Sequence, residues 1–320
     1  MEFLNLLIFA VSFVLLWKGA RLLVRGASGV AAFTGMGTFF AGLIVVAFGT
    51  SVPEFIVSLV AVIEGSSDIA VGNMVGSNIA NTGLIFGLTV LISPIVISRE
   101  AWREQWLPLV FMGLMTFAAF GLSLTEFSLE RGEGVLLFLL LGVLLVIPYG
   151  KSTEENEAFP VSPDDGGWKI LLYVVSGSVL LAVSAHLLVS SAIDIAEQLG
   201  ISELFIGVVA VAFGTSLPEL AASLGAAWRK EQNIVVGNII GSNFFNLGYL
   251  GLVAVIRPIE INRDMFGYAS EFAFLILLTV LFVLLIGKTQ ISKNRIGKKK
   301  GALLLVVYAA FLYFISGSLS

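Results

Sequence analysis

Two carboxylates, Glu54 and Glu219, stand inside long apolar stretches. Each ends the same kind of hexapeptide, Gly49-Thr50-Ser51-Val52-Pro53-Glu54 and Gly214-Thr215-Ser216-Leu217-Pro218-Glu219. An acid at the centre of a membrane-length segment costs about 2.5–3.5 kcal/mol on insertion scales, so a matched pair implies a use. The proline before each acid has no N–H to give to the carbonyl four residues back, Gly49 or Gly214, and its ring crowds that carbonyl. Both helices are therefore expected to break beside the acid and leave carbonyl oxygens free. Carboxylate, hydroxyl and freed carbonyl together form a ligand set for a hard cation. The chemistry predicted is passage of a cation at the bilayer midplane.

Neighbouring polar residues extend the pattern. Thr50 and Glu54, Ser77 and Asn81, Thr215 and Glu219, and Ser242 and Asn246 are each four residues apart, so each pair shares a helix face. Gly72, Gly76, Gly237 and Gly241 fall four apart, where crossing backbones can approach closely. Taken singly, these hydroxyls, amides and glycines serve as well for packing as for transport. The two glutamates do not, because packing needs no ionisable group. Asn73, Asn78, Asn238 and Asn243 either hold broken helix ends or line the path. His186, near the outer end of its helix, is read as structural or interfacial.

The composition supplies a membrane for this chemistry. The chain has 320 residues, 58% hydrophobic and 12% charged, with mean hydropathy +0.99. A soluble domain needs far more polar surface. Cysteine is absent and there is a single histidine, which excludes disulfide frameworks, thiolate metal sites and His-based metallohydrolase motifs. Ten apolar runs are apparent, at about 3–24, 38–63, 69–92, 106–125, 133–150, 168–192, 204–228, 233–256, 267–287 and 301–318. Met1 to Trp17 has neither a basic start nor a cleavage site and is expected to remain as a helix. The predicted fold is an all-α polytopic membrane protein. Residues 151–167, with Glu154, Glu155, Glu157, Asp164 and Asp165, form an acidic joint between two halves. Fifteen Lys and Arg residues fall on the side of that joint and three, Arg131, Arg257 and Arg263, on the other. The bias predicts both termini outside and the joint in the cytoplasm.

The halves are copies. An offset of 165 residues maps Leu22-Leu23-Val24 onto Leu187-Leu188-Val189, and Pro53-Glu54 onto Pro218-Glu219. It also maps Val71-Gly72-Asn73 onto Val236-Gly237-Asn238, Gly76-Ser77-Asn78 onto Gly241-Ser242-Asn243, and Asn81 onto Asn246. Five spans per copy is an odd number, so the copies must enter the membrane from opposite sides. The expectation is ten transmembrane helices in two inverted five-helix repeats, 1–150 with its motifs at 42–83 and 168–320 with its motifs at 207–248.

Two copies of G-T-S-x-P-E, each followed by G-N-x-x-G-S-N-x-x-N, resemble the alpha-repeats of the sodium/calcium exchanger family in the cation/calcium antiporter superfamily. The resemblance spans the whole chain and implies a minimal prokaryotic antiporter in the plasma membrane, with Ca²⁺ and Na⁺ as its cargo. It implies calcium ligands at Glu54 and Glu219 with the carbonyls of Thr50 and Thr215. Sodium sites would add Ala47, Ser51, Ser77, Ala212, Ser216 and Ser242, with Asn81 nearby. It further implies that helices 1 and 6 slide across a core of helices 2, 3, 7 and 8. One position departs from the pattern: Asn246 stands where these exchangers usually carry aspartate, which bears on stoichiometry and potassium dependence. No cofactor and no nucleic-acid partner are implied, and membrane lipid surrounds a chain expected to work as a monomer.

Charge bookkeeping points the same way without the family. Two carboxylates are neutralised by one Ca²⁺, two Na⁺ or two H⁺, and an empty doubly charged site is costly to carry through low dielectric, which favours obligatory exchange. The alternative counter-ion is H⁺, but proton/calcium relatives more often read G-N-A-x-E, and the hydroxyls of Thr50, Ser51, Thr215 and Ser216 favour sodium. A cation channel would suit acidic pore residues but not a two-fold site with no filter-like loop. An intramembrane aspartyl protease needs two aspartates, and Asp194 lies at a helix end; no enzymatic activity is expected.

Overall fold

The computed structural model describes residues 2–123, 128–146, 166–198, 214–260, 265–292 and 295–318. The acidic joint at 151–165 and Ala212 lie outside them. The described helices are α1 (Glu2–Thr34), α2 (Thr38–Ile63), α3 (Ser67–Ile92), α4 (Arg99–Ser123) and α5 (Arg131–Val146), then α6 (Gly167–Gln198), α7 (Leu217–Trp228), α8 (Gln232–Ile256), α9 (Met265–Ser292) and α10 (Lys298–Ser318). Seven of them, α1, α2, α3, α4, α6, α8 and α9, are long and apolar enough to cross a membrane. Strands β1 (Ser128–Leu129) and β2 (Ile259–Glu260) pair antiparallel and tie the α4–α5 link to the α8–α9 link. A bridge between Ile95 and Ile296 ties the α3–α4 link to the α9–α10 link.

Small residues set which helices touch. Along the antiparallel seam of α1 and α6, a methyl on Gly177 would stand 2.5 Å from the Leu23 nitrogen, and one on Gly19 2.9 Å from the Leu181 nitrogen. Where α2 crosses α8, a methyl on Gly42 would lie 2.5 Å from the Ile234 carbonyl oxygen, and Gly237 and Gly241 face the backbone of Phe39 and Leu43. Gly134 and Gly251 bring α5 onto α8, as Gly87 and Gly301 bring α10 onto α3. These are the close approaches expected of Gly237 and Gly241; Gly76 meets nothing within 4 Å among the described residues. The result encloses α3 and α8, 78% and 83% buried over their apolar windows, while α1 and α6 are 33% and 28% buried and present Leu, Val and Phe outward.

The helix ends repeat at the same offset. Gly65 closes α2 with φ +87°, its N–H reaching the Val62 carbonyl (3.1 Å) while that of Ser66 reaches Ala61 (2.7 Å). At the end of α7, Lys230 N–H reaches Ala227 and Glu231 N–H reaches Ala226, both at 3.0 Å. This is the left-handed helix stop in which glycine is favoured, yet Lys230 adopts φ 63° there.

The expected breaks are found in one copy only. Pro218 begins α7 at its first turn, behind a turn at Thr215 and Ser216. Pro53, by contrast, sits inside a continuous helix from Ala47 to Ile63. One missing N–H costs a single bond, and the turns on either side hold the helix; the i−4 residue is glycine in both copies and does not distinguish them. The irregularity lies upstream instead, as a wide π-type turn over Ala41–Val46. A second π-type turn, Asn81–Ile85, opens α3 at Asn81; such turns are frequent at functional sites.

Candidate ion site

Thr50, Ser51, Glu54, Ser77, Asn81, Ser216, Glu219, Ser242 and Asn246 are all buried. α2 carries the first three and α3 the next two, Ser216 is the N-cap residue of α7, which carries Glu219, and α8 carries the last two, so both halves contribute. The halves meet directly: the Ser51 hydroxyl donates to Glu219 Oε1 at 3.2 Å, and the hydroxyls of Ser77 and Thr215 lie 3.4 Å apart. Thr50 gives its hydroxyl to the carbonyls of Val46 (3.1 Å) and Ala47 (3.3 Å). That places Thr50 and Ala47 side by side on the turn that precedes Glu54. Ala47 is fully buried, packed where Gly241 of α8 crosses α2.

Through Ser51 on the same helix as Glu54, Glu219 reaches the face of α2 that carries Glu54, and both carboxylates are fully buried. Among the described residues neither oxygen of Glu54 has a hydrogen-bond partner, nor has Glu219 Oε2. Ser242 Oγ, Asn81 Oδ1 and Asn246 Oδ1 are likewise buried without one. Buried polar atoms are paired in nearly all proteins, and orphans call for an unseen partner such as an ion or water. These orphans are all oxygens, the donor type that Ca²⁺ and Na⁺ accept. No three His, Cys, Asp or Glu side chains gather in one place among the described residues, so the charge of the site is that of two glutamates and the remaining oxygens are neutral.

A supporting layer repeats at the same offset. Asn73 Nδ2 donates to Ser58 Oγ (2.9 Å) and to the Glu54 carbonyl (3.0 Å), linking α3 to α2. Asn238 Nδ2 donates to Ser223 Oγ (3.0 Å), linking α8 to α7. Ser58 and Ser223 were not among the expected residues, although their 165-residue spacing could have identified them. Between α3 and α8 four asparagines cross-pair. Asn81 Nδ2 donates to Asn243 Oδ1 (3.1 Å), and Asn246 Nδ2 donates to Asn78 Oδ1 (3.0 Å). Asn78 and Asn243 thus orient the amides of Asn246 and Asn81. His186 is exposed on α6.

Gly49 stands at the edge of the site. A methyl there would overlap Ser178 Oγ of α6 and lie 3.3 Å from the Leu23 side chain of α1, so the motif touches the α1–α6 pair with no room to spare.

The chain matches the model of the sodium/calcium exchanger protein family over residues 4–150 and 169–317. It is 35% identical to CaxA of Alkalimonas amylolytica over 315 residues, covering 95% of this chain and 96% of the relative. It is 31% identical to the sodium/calcium exchanger MaX1 of Methanosarcina acetivorans over 351 residues, covering 96% and 97%. Its fold is similar to that of the sodium-calcium exchanger NCX_Mj solved without Na⁺ and Ca²⁺, with TM-score 0.81 and 30% identity over 98% of this chain and 100% of that one. With the motifs duplicated in sequence and brought to one buried site, these matches over nearly its full length place the chain in the sodium/calcium exchanger family.

Proposed function

We propose that this chain is a secondary active antiporter exchanging Ca²⁺ for Na⁺ by alternating access, built of ten transmembrane helices in two inverted repeats of five. The observation that carries the reading is the pair of buried glutamates, one from each half, whose carboxylate oxygens are mostly without partners among the described residues. Such a site suits a divalent cation, or two monovalent ones, of equal total charge. Glu54 and Glu219 would hold Ca²⁺, with the Thr50 and Thr215 carbonyls. Ala47, Ser51, Ser77, Ala212, Ser216 and Ser242 would serve Na⁺, with Asn81 and Asn246 beside them. α5, the apolar run 204–228 read from the sequence, and α10 would complete the ten spans. α1 and α6, joined along one seam and facing outward, would slide across α2, α3, α7 and α8. The chain would work as a monomer in a prokaryotic plasma membrane with both termini outside.

The test is calcium uptake into proteoliposomes under an imposed sodium gradient and, separately, a pH gradient. Uptake driven by sodium and saturating in calcium is expected. Uptake driven by the pH gradient alone would make H⁺ the counter-ion. Calcium entry without a counter-ion on the far side would replace the carrier by a channel.

A further inference from the structure

The crossed asparagine pairs do not have the same polarity, and the difference bears on Asn246. Asn78 gives its Nδ2 to the backbone carbonyl of Asn243 at 3.2 Å. A carbonyl oxygen can only accept, so this bond fixes the Asn78 amide with Nδ2 toward α8's backbone and Oδ1 toward Asn246. The group at 246 must then be a donor, as the Asn246 amide is at 3.0 Å. The partner pair is anchored differently. Asn243 gives its Nδ2 to the Thr82 hydroxyl at 3.0 Å and to Met112 Sδ at 3.6 Å. A hydroxyl donates or accepts, so Asn243 can turn its amide over, accept from Thr82 and offer Nδ2 to position 81.

We propose that Asn78 is a positioning residue that dictates a neutral, hydrogen-donating side chain at position 246 and so holds the site at two carboxylates. A carboxylate at 246 would set an acceptor against Asn78 Oδ1. If Asn78 turned over to meet it, its Oδ1 would face the Asn243 carbonyl. Either way two oxygens stand at hydrogen-bond distance with no hydrogen between them. At position 81 the same change is absorbed by rotation of Asn243. The departure from the family pattern at 246 thus has a local cause in this chain's own packing, and the pseudo-symmetric position 81 is its internal control. With its Nδ2 committed to Asn78, Asn246 keeps Oδ1 without a partner among the described residues, turned to act as a neutral acceptor in the site.

This inference rests on the exchange reading for its effect on transport, but not for its effect on folding, and the experiment separates the two. Asn246→Asp, Asn81→Asp, Asn78→Ala and the Asn78→Ala/Asn246→Asp double variant are purified and compared with wild type by thermal unfolding in detergent and by sodium-driven calcium flux, with Vmax and half-saturation measured separately. Asn246→Asp is expected to unfold at lower temperature than Asn81→Asp and to lose about tenfold more flux, the scale of one buried hydrogen bond turned unfavourable. Asn78→Ala alone is expected to weaken ion affinity more than Vmax. In the Asn246→Asp background the same Asn78→Ala change is expected to raise both stability and flux, because it removes the opposing oxygen. A general packing role for Asn78 would make the two losses add. Additive losses, or equal tolerance of aspartate at 81 and 246, would overturn the inference. If wild type shows no sodium-driven flux while the stability pattern holds, the functional reading fails and the role of Asn78 stands.

Discussion

At the scale of single residues the site is defined by what its oxygens lack. Both oxygens of Glu54 and one of Glu219 are buried without partners among the described residues, and a bound cation is the partner that would satisfy them. Ligand that binds only the folded state stabilises it by mass action, about 2.7 kcal/mol at a hundred times Kd. Calcium at that excess should therefore raise the unfolding temperature of purified wild type. Glu54→Gln and Glu219→Gln should fold, lose calcium flux and lose most of that rise, since a neutral amide does not offset a divalent charge away from water. A calcium-induced shift as large in Glu54→Gln as in wild type would remove Glu54 from the ion site. These two glutamates were legible from the sequence because an ionisable group in an apolar run has no bland explanation and occurs twice. The asparagine pairing was not. Whether an amide turns its oxygen or its nitrogen to a neighbour depends on which atoms face it across α3 and α8, and spacing along the chain carries no such information.

At the scale of elements the repeat reads more truly than local rules. The 165-residue offset predicts matched helix ends, and the stops after α2 and α7 share the same two turn-closing bonds although one uses Gly65 and the other Lys230. Side chains in the left-handed region cost about 1–2 kcal/mol. Lys230, exposed at the end of α7, should accordingly be improvable: Lys230→Gly is expected to raise stability by about 1 kcal/mol, whereas Gly65→Ala should lower it by a similar amount. Thermal unfolding of the two variants checks both signs, and a loss in Lys230→Gly would mean that its side chain holds something beyond the turn. The proline rule misled at Pro53 for a related reason. It counts the bond that proline cannot make, but the geometry is decided by the surrounding turns, and here a π-type turn at Ala41–Val46 takes the irregularity about two to three turns earlier. Ser58 and Ser223 are hard to single out in the sequence because isolated serines in apolar helices are commonplace, and only their common offset and their asparagine partners distinguish them.

At the scale of the molecule, orientation follows from where the basic residues fall. The charge bias predicts that tags at 158 and 296 are reached from the cytoplasm and a tag after Ser320 from outside. Finding the tags at 158 and at the C-terminus on one side would break the inverted arrangement. The antiparallel seam of α1 and α6 has glycines from both helices on it, so the two pack as a pair, and on the proposed mechanism they would travel as one slab. Where that pair crosses the hexapeptide of the first half, Gly49 meets Ser178 with room for no more than the hydrogen on the glycine α-carbon. On the proposed mechanism this contact would act like a bearing machined without clearance, guiding the slab while nothing protrudes and braking it where bulk is added. Gly49→Ala should slow turnover severalfold while half-saturation by calcium changes little. If grip and speed fell together, Gly49 would belong to the site it borders and the slab would run on some other track.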